Sequence, residues 1–391
     1  MRSLLFVPIV LLGLLPVACG DDAVVASDAS VPSSSTDGTA PPPPEDASTD
    51  TTAAPDASAR FAEVDAIASA AFAGEGSEAG AQGFTLTIYD RTHATVFKKA
   101  YGAFATDQRV AIASASKLVS GLVILRLVDK GKLSLDSTTG DVLGWTGPNA
   151  AIKLSHLLSF TSGLPKEADC TARIAISLAT CVDEIRDLSA VAPPGTRYDY
   201  GSTHLQVAGR MAEIKEGKPW ATIFQDELKA TLGLPAEVAY FTAPRQSIGQ
   251  QNPLIAGGMR ASVDEYAKIL GTVFAKGLAP SGSRIVSEAL VDAQSKDPYP
   301  ASIVAYSPLK AAAGLDYRYG LASWLECETP TQGCAQVSSP GAFGFTPWLD
   351  RDAGYYAILG MEVERSGDVV SFAVGLEQKL KPAIRRAFGK P

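Results

Sequence analysis

Ser114 and Lys117 are the pair of side chains in this sequence best suited to covalent chemistry. They are the first and last residues of the tetrapeptide Ser-Ala-Ser-Lys, which is followed by a strongly apolar stretch with helical periodicity, LVSGLVILRLV. Residues three apart share one face of a helix, so the serine hydroxyl and the lysine amine can meet. A desolvated lysine can take the serine proton and so create a nucleophile. The spacing predicts acyl transfer; the alternative is a helix-capping serine beside a surface lysine.

The same spacing occurs a second time, at Ser307 and Lys310, so it does not identify a nucleophile by itself. The sequence has no G-x-S-x-G motif, which disfavours a Ser-His-Asp hydrolase of the nucleophile-elbow kind. We expect His93 to lie in a hairpin turn and His156 to be structural. We predict His204 on a helix, where a structural role is favoured and a role as an additional catalytic base is the alternative.

Five segments resemble the serine β-lactamase-related family, which contains class C β-lactamases, D-Ala-D-Ala carboxypeptidases and carboxylesterases. The resemblance runs across roughly residues 84 to 388 and keeps the family's order. It implies an α/β (α+β) fold of the β-lactamase/transpeptidase-like type, with an antiparallel sheet, flanking helices and an inserted, mostly helical lobe. The segments are IASASKLVSGLVILRLVDKGKLSLD (112–136), HLLSFTSGLP (156–165), PPGTRYDYGSTHLQVAG (193–209), AGGMRASVDEYAKIL (256–270) and SSPGAFGFTPWLDRDAGYYAILGME (338–362).

The resemblance implies that Ser114 is the acyl-accepting nucleophile and Lys117 its proton-handling partner. Tyr200 matches the tyrosine of the family's Tyr-x-Asn motif, which acts as general base or proton shuttle. We expect an adjacent lysine ammonium to lower the pKa of this phenol; the alternative for Tyr200 is a buried aromatic residue in a turn. The third motif falls on Ser339-Pro340-Gly341. The backbone N–H of Ala342, with that of Ser114, would then form an oxyanion hole.

Two positions depart from the family pattern. Ser202 stands where the family has asparagine, and Ser339 stands where it has lysine or histidine. Relatives use that cationic or imidazole group to hold a substrate carboxylate, so its loss weakens the case for a β-lactam or peptidoglycan substrate. Esters have better leaving groups than amides, so their cleavage depends less on such a group. An esterase role is therefore the one least affected by these two departures.

Three hypotheses follow from these motifs and departures. The leading one is an exported serine hydrolase acting on esters or small amides. The second is a β-lactamase or D-Ala-D-Ala carboxypeptidase. The third is a non-catalytic lipoprotein of the same fold that binds cell-wall peptide or a protein.

Four further side chains lie close to these motifs in the sequence or could border the pocket. Trp324 and Trp348 could wall the pocket, although a packed core position is the simpler interpretation of each. Arg197 and Asp199 flank the Tyr200 segment, and we expect them to fix the loop as an ion pair rather than to take part in catalysis.

The apolar periodicity predicts the elements that must position these groups. RFAEVDAIASAAFA (60–73) predicts a helix, whereas FTLTIY (84–89) and ATVFKKAYG (94–102) predict a hairpin of two strands. Strands at both ends with helices between them predict one sheet closed by N- and C-terminal strands, with an inserted helical lobe. Further helices are predicted near 114–130, 151–160, 204–216, 262–276 and 366–388, and further strands near 334–339 and 354–363.

The body of the chain contains four cysteines, Cys170, Cys181, Cys327 and Cys334. An even number in an exported chain favours disulfides. The sequence alone allows three pairings, and short-loop closure favours Cys170–Cys181 with Cys327–Cys334. The sequence shows no metal-ligand spacing and only three histidines, so we predict no metal and no cofactor.

The N-terminus has the pattern of an export signal. An apolar run from 3 to 18 follows Arg2 and predicts a signal peptide over residues 1–18. Cys19 follows Pro-Val-Ala and resembles the lipidated cysteine of bacterial lipoproteins; ordinary cleavage near Ala18 is the alternative. Residues 19–58 are rich in Ala, Ser, Thr, Asp and Pro and contain no aromatic residue, which predicts a disordered tether before a hydrolase domain over 59–391.

The formal charge of −8 is concentrated in that tether, where Gly20 to Ser58 contain eight acidic residues and no basic one. Residues 59–391 contain 33 basic and 34 acidic residues, so the net charge of the domain gives no reason to expect nucleic-acid binding. We expect a small-molecule ester, amide or β-lactam-like partner and membrane contact only through the lipid anchor. Gly20 rather than aspartate after Cys19 favours the outer membrane.

Overall fold

The structure, a computed structural model, describes residues 57–74, 83–363 and 368–391. The predicted signal peptide, the lipidation site Cys19 and the tether up to residue 56 lie outside the described residues. The first helical turn begins at Ala57, two residues before the predicted start of the domain. Within the described ranges, no helix is both long enough and apolar enough to cross a bilayer.

Each predicted helix is found, at or close to its predicted bounds, because its apolar residues recur at helical spacing. Several shorter helices that the periodicity did not predict lie between them. The helices of the described residues are α1 (Ala57–Arg60), α2 (Ala62–Ala73), α3 (Ser116–Asp129), α4 (Thr139–Leu143), α5 (Leu154–Leu158), α6 (Leu178–Arg186), α7 (Thr203–Glu216), α8 (Trp220–Phe224), α9 (Ala230–Leu232), α10 (Val263–Phe274), α11 (Glu288–Gln294), α12 (Pro308–Ala313) and α13 (Asp368–Ala387).

The main sheet is antiparallel and has the order β2-β1-β11-β10-β9-β8-β7. The N-terminal hairpin therefore pairs with a C-terminal strand, as predicted, and Ile88 lies opposite Ala357. Two small sheets, β3-β5 and β4-β6, lie apart from it. The strands are β1 (Gly83–Asp90), β2 (Thr95–Gly102), β3 (Val110–Ala111), β4 (Arg197–Asp199), β5 (Arg260–Ala261), β6 (Ile303–Tyr306), β7 (Arg318–Tyr319), β8 (Trp324–Leu325), β9 (Gln336–Ser338), β10 (Thr346–Asp350) and β11 (Tyr355–Gly360).

Strand β1 is buried on both faces, although its alternating sequence is typical of a strand with one face in solvent. Phe84, Leu86 and Ile88 pack in a cluster with residues of α2 and α13. On the opposite face, Thr85 and Thr87 are also buried. Helices cover both sides of the sheet, so even its polar face is removed from water.

Helix α3 is the central helix of the second core, which joins the helical lobe to the sheet. Its residues from Ser116 to Leu125 are all buried, and so is Leu127. They pack within one large cluster that also includes residues of α7, α8 and α10. The segment that carries the S-x-x-K spacing is thus surrounded by protein, which decides the chemistry of its lysine.

Two disulfides close short surface loops. Cys170 is joined to Cys181 with a Cα–Cα distance of 5.1 Å, and Cys327 is joined to Cys334 at 5.6 Å. The favoured pairing is confirmed.

Candidate active site

Ser114 lies in a strained turn between β3 and α3. A 3₁₀ turn, Ala113–Ala115, precedes the helix, and Ala113 has a φ of 47°, which costs a non-glycine residue about 1–2 kcal/mol. The Ser116 hydroxyl holds this turn, because it donates to the Ala113 carbonyl at 2.6 Å and accepts the Met259 N–H at 3.1 Å. The fixed turn leaves Ser114 half-buried at the start of the helix.

Lys117 is buried, and its amine lies 3.0 Å from Ser114 Oγ. The same amine donates to the carbonyl of Ala256 at 2.8 Å, which fixes its direction. Burial lowers the pKa of Lys117 to about 7, while the negative charge of Glu167 opposes this change. Near neutral pH, a large fraction of this amine is therefore unprotonated and can accept the serine proton.

Tyr200 completes a three-residue cluster, since Lys117 Nζ lies 4.7 Å from the centre of its ring. The ring stacks on Trp324 at 5.3 Å and meets the edge of Phe160 at 5.1 Å. Trp324 therefore both packs in the core and walls the site. Trp348 belongs instead to the core between the sheet, α2 and α13.

The expectation of a lowered pKa at Tyr200 is wrong. Burial among aromatic rings raises the pKa of its phenol, and a hydrogen bond from the Ser114 side chain offsets this only in part. The lysine that was expected to lower the phenol's pKa has its own pKa near 7 and so supplies little positive charge. Tyr200 is thus a neutral phenol that could relay a proton, and of the two side chains only Lys117 has a pKa suited to accepting a proton near neutral pH.

The third motif lies against Ser114. The Ser339 hydroxyl donates to the carbonyl of Ser114 at 3.1 Å, so it supports the turn rather than facing the pocket as a free group. A Cβ on Gly341 would lie 2.2 Å from the carbonyl oxygen of Ile112, so only glycine lets this segment approach the turn. Within the described residues, the N–H groups of Ser114 and Ala342 donate to no protein acceptor, as oxyanion-hole donors require.

Ser202 follows Tyr200 at the N-terminal end of α7 and is half-buried. Its hydroxyl does not cap the helix. The Tyr200–Ser202 segment packs on Lys166, whose carbonyl accepts the Thr203 N–H at 3.1 Å. This packing brings the loop after the HLLSFTSGLP segment to the edge of the site.

The three histidines are structural. His93 lies in the β1–β2 turn, as expected. Both ring nitrogens of His204 are used, by Ser162 at 2.8 Å and by the Asp199 carbonyl at 2.8 Å. Burial lowers the pKa of His156 and of His204 to about 4. The alternative of His204 as an added base is therefore wrong.

Other predicted side chains also take structural places. Arg197 and Asp199 form an ion pair at 3.2 Å, which confirms the loop-fixing interpretation. Ser307 caps α12 by accepting the Lys310 N–H at 3.3 Å, and Lys310 pairs with Asp316 at 2.6 Å in solvent. The second S-x-x-K is a helix cap.

Two groups that act on the site, the Ala256 carbonyl and the Glu167 carboxylate, were not predicted from the sequence. The Ala256 carbonyl that holds Lys117 is a backbone group, so its residue type carries no signal. Glu167 is exposed, and its charge raises the pKa of both Lys117 and Tyr200. It directly follows the SGLPK sequence, which was the one available hint.

A family model described as Beta-lactamase matches residues 62–361. The chain belongs to the beta-lactamase family. This beta-lactamase-family chain is 29% identical over 214 residues to penicillin-binding protein 4 of Amycolatopsis lactamdurans, and the match covers 48% of this chain and 56% of that protein. The chain therefore spans little more than half the length of this curated relative.

Solved structures share the fold over most of the chain. A beta-lactamase-type protein of Bacteroides dorei has a TM-score of 0.70 and 29% identity, covering 83% of this chain and 98% of that one. EstCE1, a hydrolase with promiscuous acyltransferase activity, has a TM-score of 0.64 at 17% identity and covers 85% and 99%. Simvastatin synthase from Aspergillus terreus has a TM-score of 0.62 at 16% sequence identity, and the match covers 83% of this chain and 98% of that one. The predicted family and fold class are confirmed.

Proposed function

We propose that this beta-lactamase-family chain is a serine hydrolase that cleaves carboxylic esters through an acyl-enzyme on Ser114. One observation carries the proposal: a buried amine, Lys117, lies 3.0 Å from a half-buried serine hydroxyl at the start of a helix. A serine beside such an amine has the base that a hydroxyl needs to become a nucleophile.

Acylation follows from the positions of these groups. Neutral Lys117 takes the proton of Ser114 Oγ, and the oxygen attacks the ester carbonyl carbon. The N–H groups of Ser114 and Ala342 stabilise the negative charge that develops on the carbonyl oxygen. When the C–O bond to the alcohol breaks, Tyr200 donates its proton to the leaving oxygen and takes one from the Lys117 ammonium. The alcohol leaves, and Ser114 holds the acyl group.

Deacylation runs through the same groups. Water attacks the acyl carbon, its proton passes through Tyr200 to Lys117, and the Lys117 ammonium then gives a proton to Ser114 Oγ as the acid departs. Each turnover returns the enzyme to its starting protonation state. The hydrogen bond between Tyr200 and Ser114 supports this route, because the phenol must be in contact with the reacting oxygen.

The preference for esters rests on the two departures from the family pattern. Ser339 supplies no positive charge, and its hydroxyl is held by the Ser114 carbonyl. Ser202 offers a single hydroxyl donor on a short side chain, where the family pattern has the side-chain amide of an asparagine. A second candidate, action on β-lactams or peptides, is favoured by the 29% identity to a penicillin-binding protein and to a beta-lactamase-type structure.

A labelling experiment separates these candidates. The protein should react with a fluorophosphonate, and mass spectrometry should find the adduct on Ser114. Ser114→Ala should abolish labelling and hydrolysis of p-nitrophenyl acetate, whereas Ser307→Ala, in the second S-x-x-K, should retain both. Turnover of the cephalosporin nitrocefin that rivals ester turnover would establish the second candidate instead. A folded protein that reacts with neither class would be a binding protein.

We also propose export and lipid anchoring through Cys19. Two disulfides in one domain support an oxidising compartment. Cys19→Ser should move the protein from the membrane fraction to the soluble fraction and leave esterase activity unchanged. A variant that still sediments with membranes would refute the anchor.

A further inference from the structure

A cleft lined by cations lies at the end of the main sheet where the β1–β2 turn and the β10–β11 turn meet. Its volume is about 430 Å³. Its charged lining consists of three cations, Arg60, Arg91 and Lys390, and one carboxylate, Asp90, which gives a formal charge of +2. Residues 59–391 as a whole carry about −1, so positive charge is concentrated in this cleft. Such a concentration favours an anionic ligand.

Arg91 is held in the cleft by uncharged groups. Its Nη2 donates to the carbonyl of Arg351 at 3.0 Å and to the carbonyl of Asp352 at 3.2 Å. A Cβ on Gly354 would lie 2.2 Å from Arg91 Nε, so only glycine lets the guanidinium lie against the β10–β11 turn. These contacts fix the direction of the guanidinium without an acidic partner.

Arg60 is fixed in a similar way. Its Nε donates to the carbonyl of Ala387 at 2.6 Å, and its guanidinium carbon lies 4.5 Å from the centre of the Phe388 ring. Two residues further along the chain, Lys390 lines the same cleft and is exposed. In the part of the chain that the structure describes, none of the three cations forms an ion pair with an aspartate or a glutamate.

The carboxylate of the cleft has a structural role. Asp90 Oδ1 accepts the Thr92 N–H at 2.8 Å, the Thr92 hydroxyl at 2.6 Å and the Ala94 N–H at 3.1 Å. These bonds stabilise the β1–β2 turn, which carries Arg91. Asp90 therefore helps to build the cleft and neutralises none of its cations by direct pairing.

We propose that this cleft binds inorganic phosphate or the phosphate group of a small phosphate monoester. The planar guanidinium group matches the oxygens of a phosphate, and a phosphate monoester carries a charge of about −1.5 to −2 at pH 7, which balances the formal charge of the cleft. Because Arg60 and Arg91 are already fixed, little side-chain entropy is lost on binding.

A membrane surface fits the cleft less well than a small phosphate compound. Basic segments that bind anionic lipids typically have about four to eight lysines and arginines, whereas this cleft has three. Ser114, Lys117 and Tyr200 do not line the cleft, so the proposal does not depend on the esterase function.

Calorimetric titration tests the proposal, with inorganic phosphate and phenyl phosphate as ligands at constant ionic strength in chloride. Three charge-assisted contacts correspond to a Kd on the order of 1 mM. Arg91→Gln should raise the Kd about tenfold, because it removes hydrogen bonds to a charged group. Lys390→Gln should raise it about threefold, as expected for an exposed charge. Lys215→Gln, which removes an exposed lysine on α7, is the matched control and should leave the Kd unchanged.

Several results would overturn the proposal. One is the absence of saturable phosphate binding below about 10 mM, and another is an unchanged Kd in folded Arg91→Gln, with folding checked by circular dichroism. If that variant does not fold, an unchanged Kd in Lys390→Gln refutes the site. Acetate that binds as tightly as phosphate would show general attraction of anions. Arg91-dependent binding to phosphatidylglycerol vesicles without binding of phosphate would show a membrane contact instead.

Discussion

The protonation of Lys117 should set the acid limb of the pH–rate profile. Burial lowers its pKa from 10.5 to about 7, which corresponds to about 5 kcal/mol against the charged amine. At pH 7 about half of the molecules then hold a neutral lysine, compared with about 3 in 10,000 for an ordinary lysine. Packing around α3 thus supplies about three orders of magnitude in the population of the active base.

The assay is kcat/KM for p-nitrophenyl acetate between pH 5 and pH 9. Acylation needs neutral Lys117, so the rate should rise tenfold per pH unit on the acid side and level off above about pH 7.5, with about a tenth of the plateau at pH 6. The histidines should not set this limb, because burial lowers the pKa of His156 and of His204 to about 4.

Glu167 provides the variant that moves the limb. Its charge raises the pKa of Lys117, so Glu167→Gln should shift the acid limb to lower pH. Glu328→Gln, which removes an exposed carboxylate within the loop that the Cys327–Cys334 disulfide closes, should leave the acid limb in place. A profile that is flat from pH 6 to pH 8, or an acid limb near pH 10, would refute the role of Lys117 as the base.

Three further predictions follow from the structure. Tyr200→Phe should lower kcat for esters on the order of a hundredfold or more, with folding retained by circular dichroism, because it removes the proton relay. Ser202→Asn combined with Ser339→Lys should raise nitrocefin acylation relative to ester turnover; an unchanged ratio would show that these positions do not select the substrate. Glu377→Gln should raise the Tm more at pH 8 than at pH 5. The single amine of Lys381 lies between two buried carboxylates, and burial lowers its pKa. Burial also raises the pKa of Glu377 to about 8, so stability present below pH 4.5 is lost as the pH rises through 8. Equal Tm changes at both pH values would contradict this explanation.

The sheet ends and the long helices could be predicted because their signals are local. The β1–β2 hairpin and α10 show their periodicity within a single window of sequence. The parallel pairing of β4 with β6 could not be predicted in this way, since it joins segments about a hundred residues apart through strands of three or four residues. Strand β10 was also missed, because it is buried throughout and has no alternation to detect.

The residues of the site could be predicted, but their electrostatics could not. The S-x-x-K spacing predicted the contact of Ser114 with Lys117, the resemblance to the family added Tyr200, and the structure places the three side chains together. The pKa of Tyr200 depends on Trp324 and Phe160, which reach it from segments remote in sequence. Proximity to a lysine predicted a lowered pKa for the phenol, whereas burial among aromatic rings raises that pKa. Burial is a property of the whole fold, and no motif encodes it.

The two copies of the S-x-x-K spacing show why the fold must be known before the motif has chemical meaning. Lys310 has a side chain that is 58% exposed and is paired with Asp316, and an ammonium held by a carboxylate cannot accept a proton. Lys117 is 3% exposed, and its nearest acceptors are the neutral Ala256 carbonyl and Ser114 itself. An uncompensated charge there is costly, so the amine gives up its proton and becomes a base. Because α3 is buried in the large core, the packing that stabilises the domain also lowers the pKa of the amine that we propose as the catalytic base.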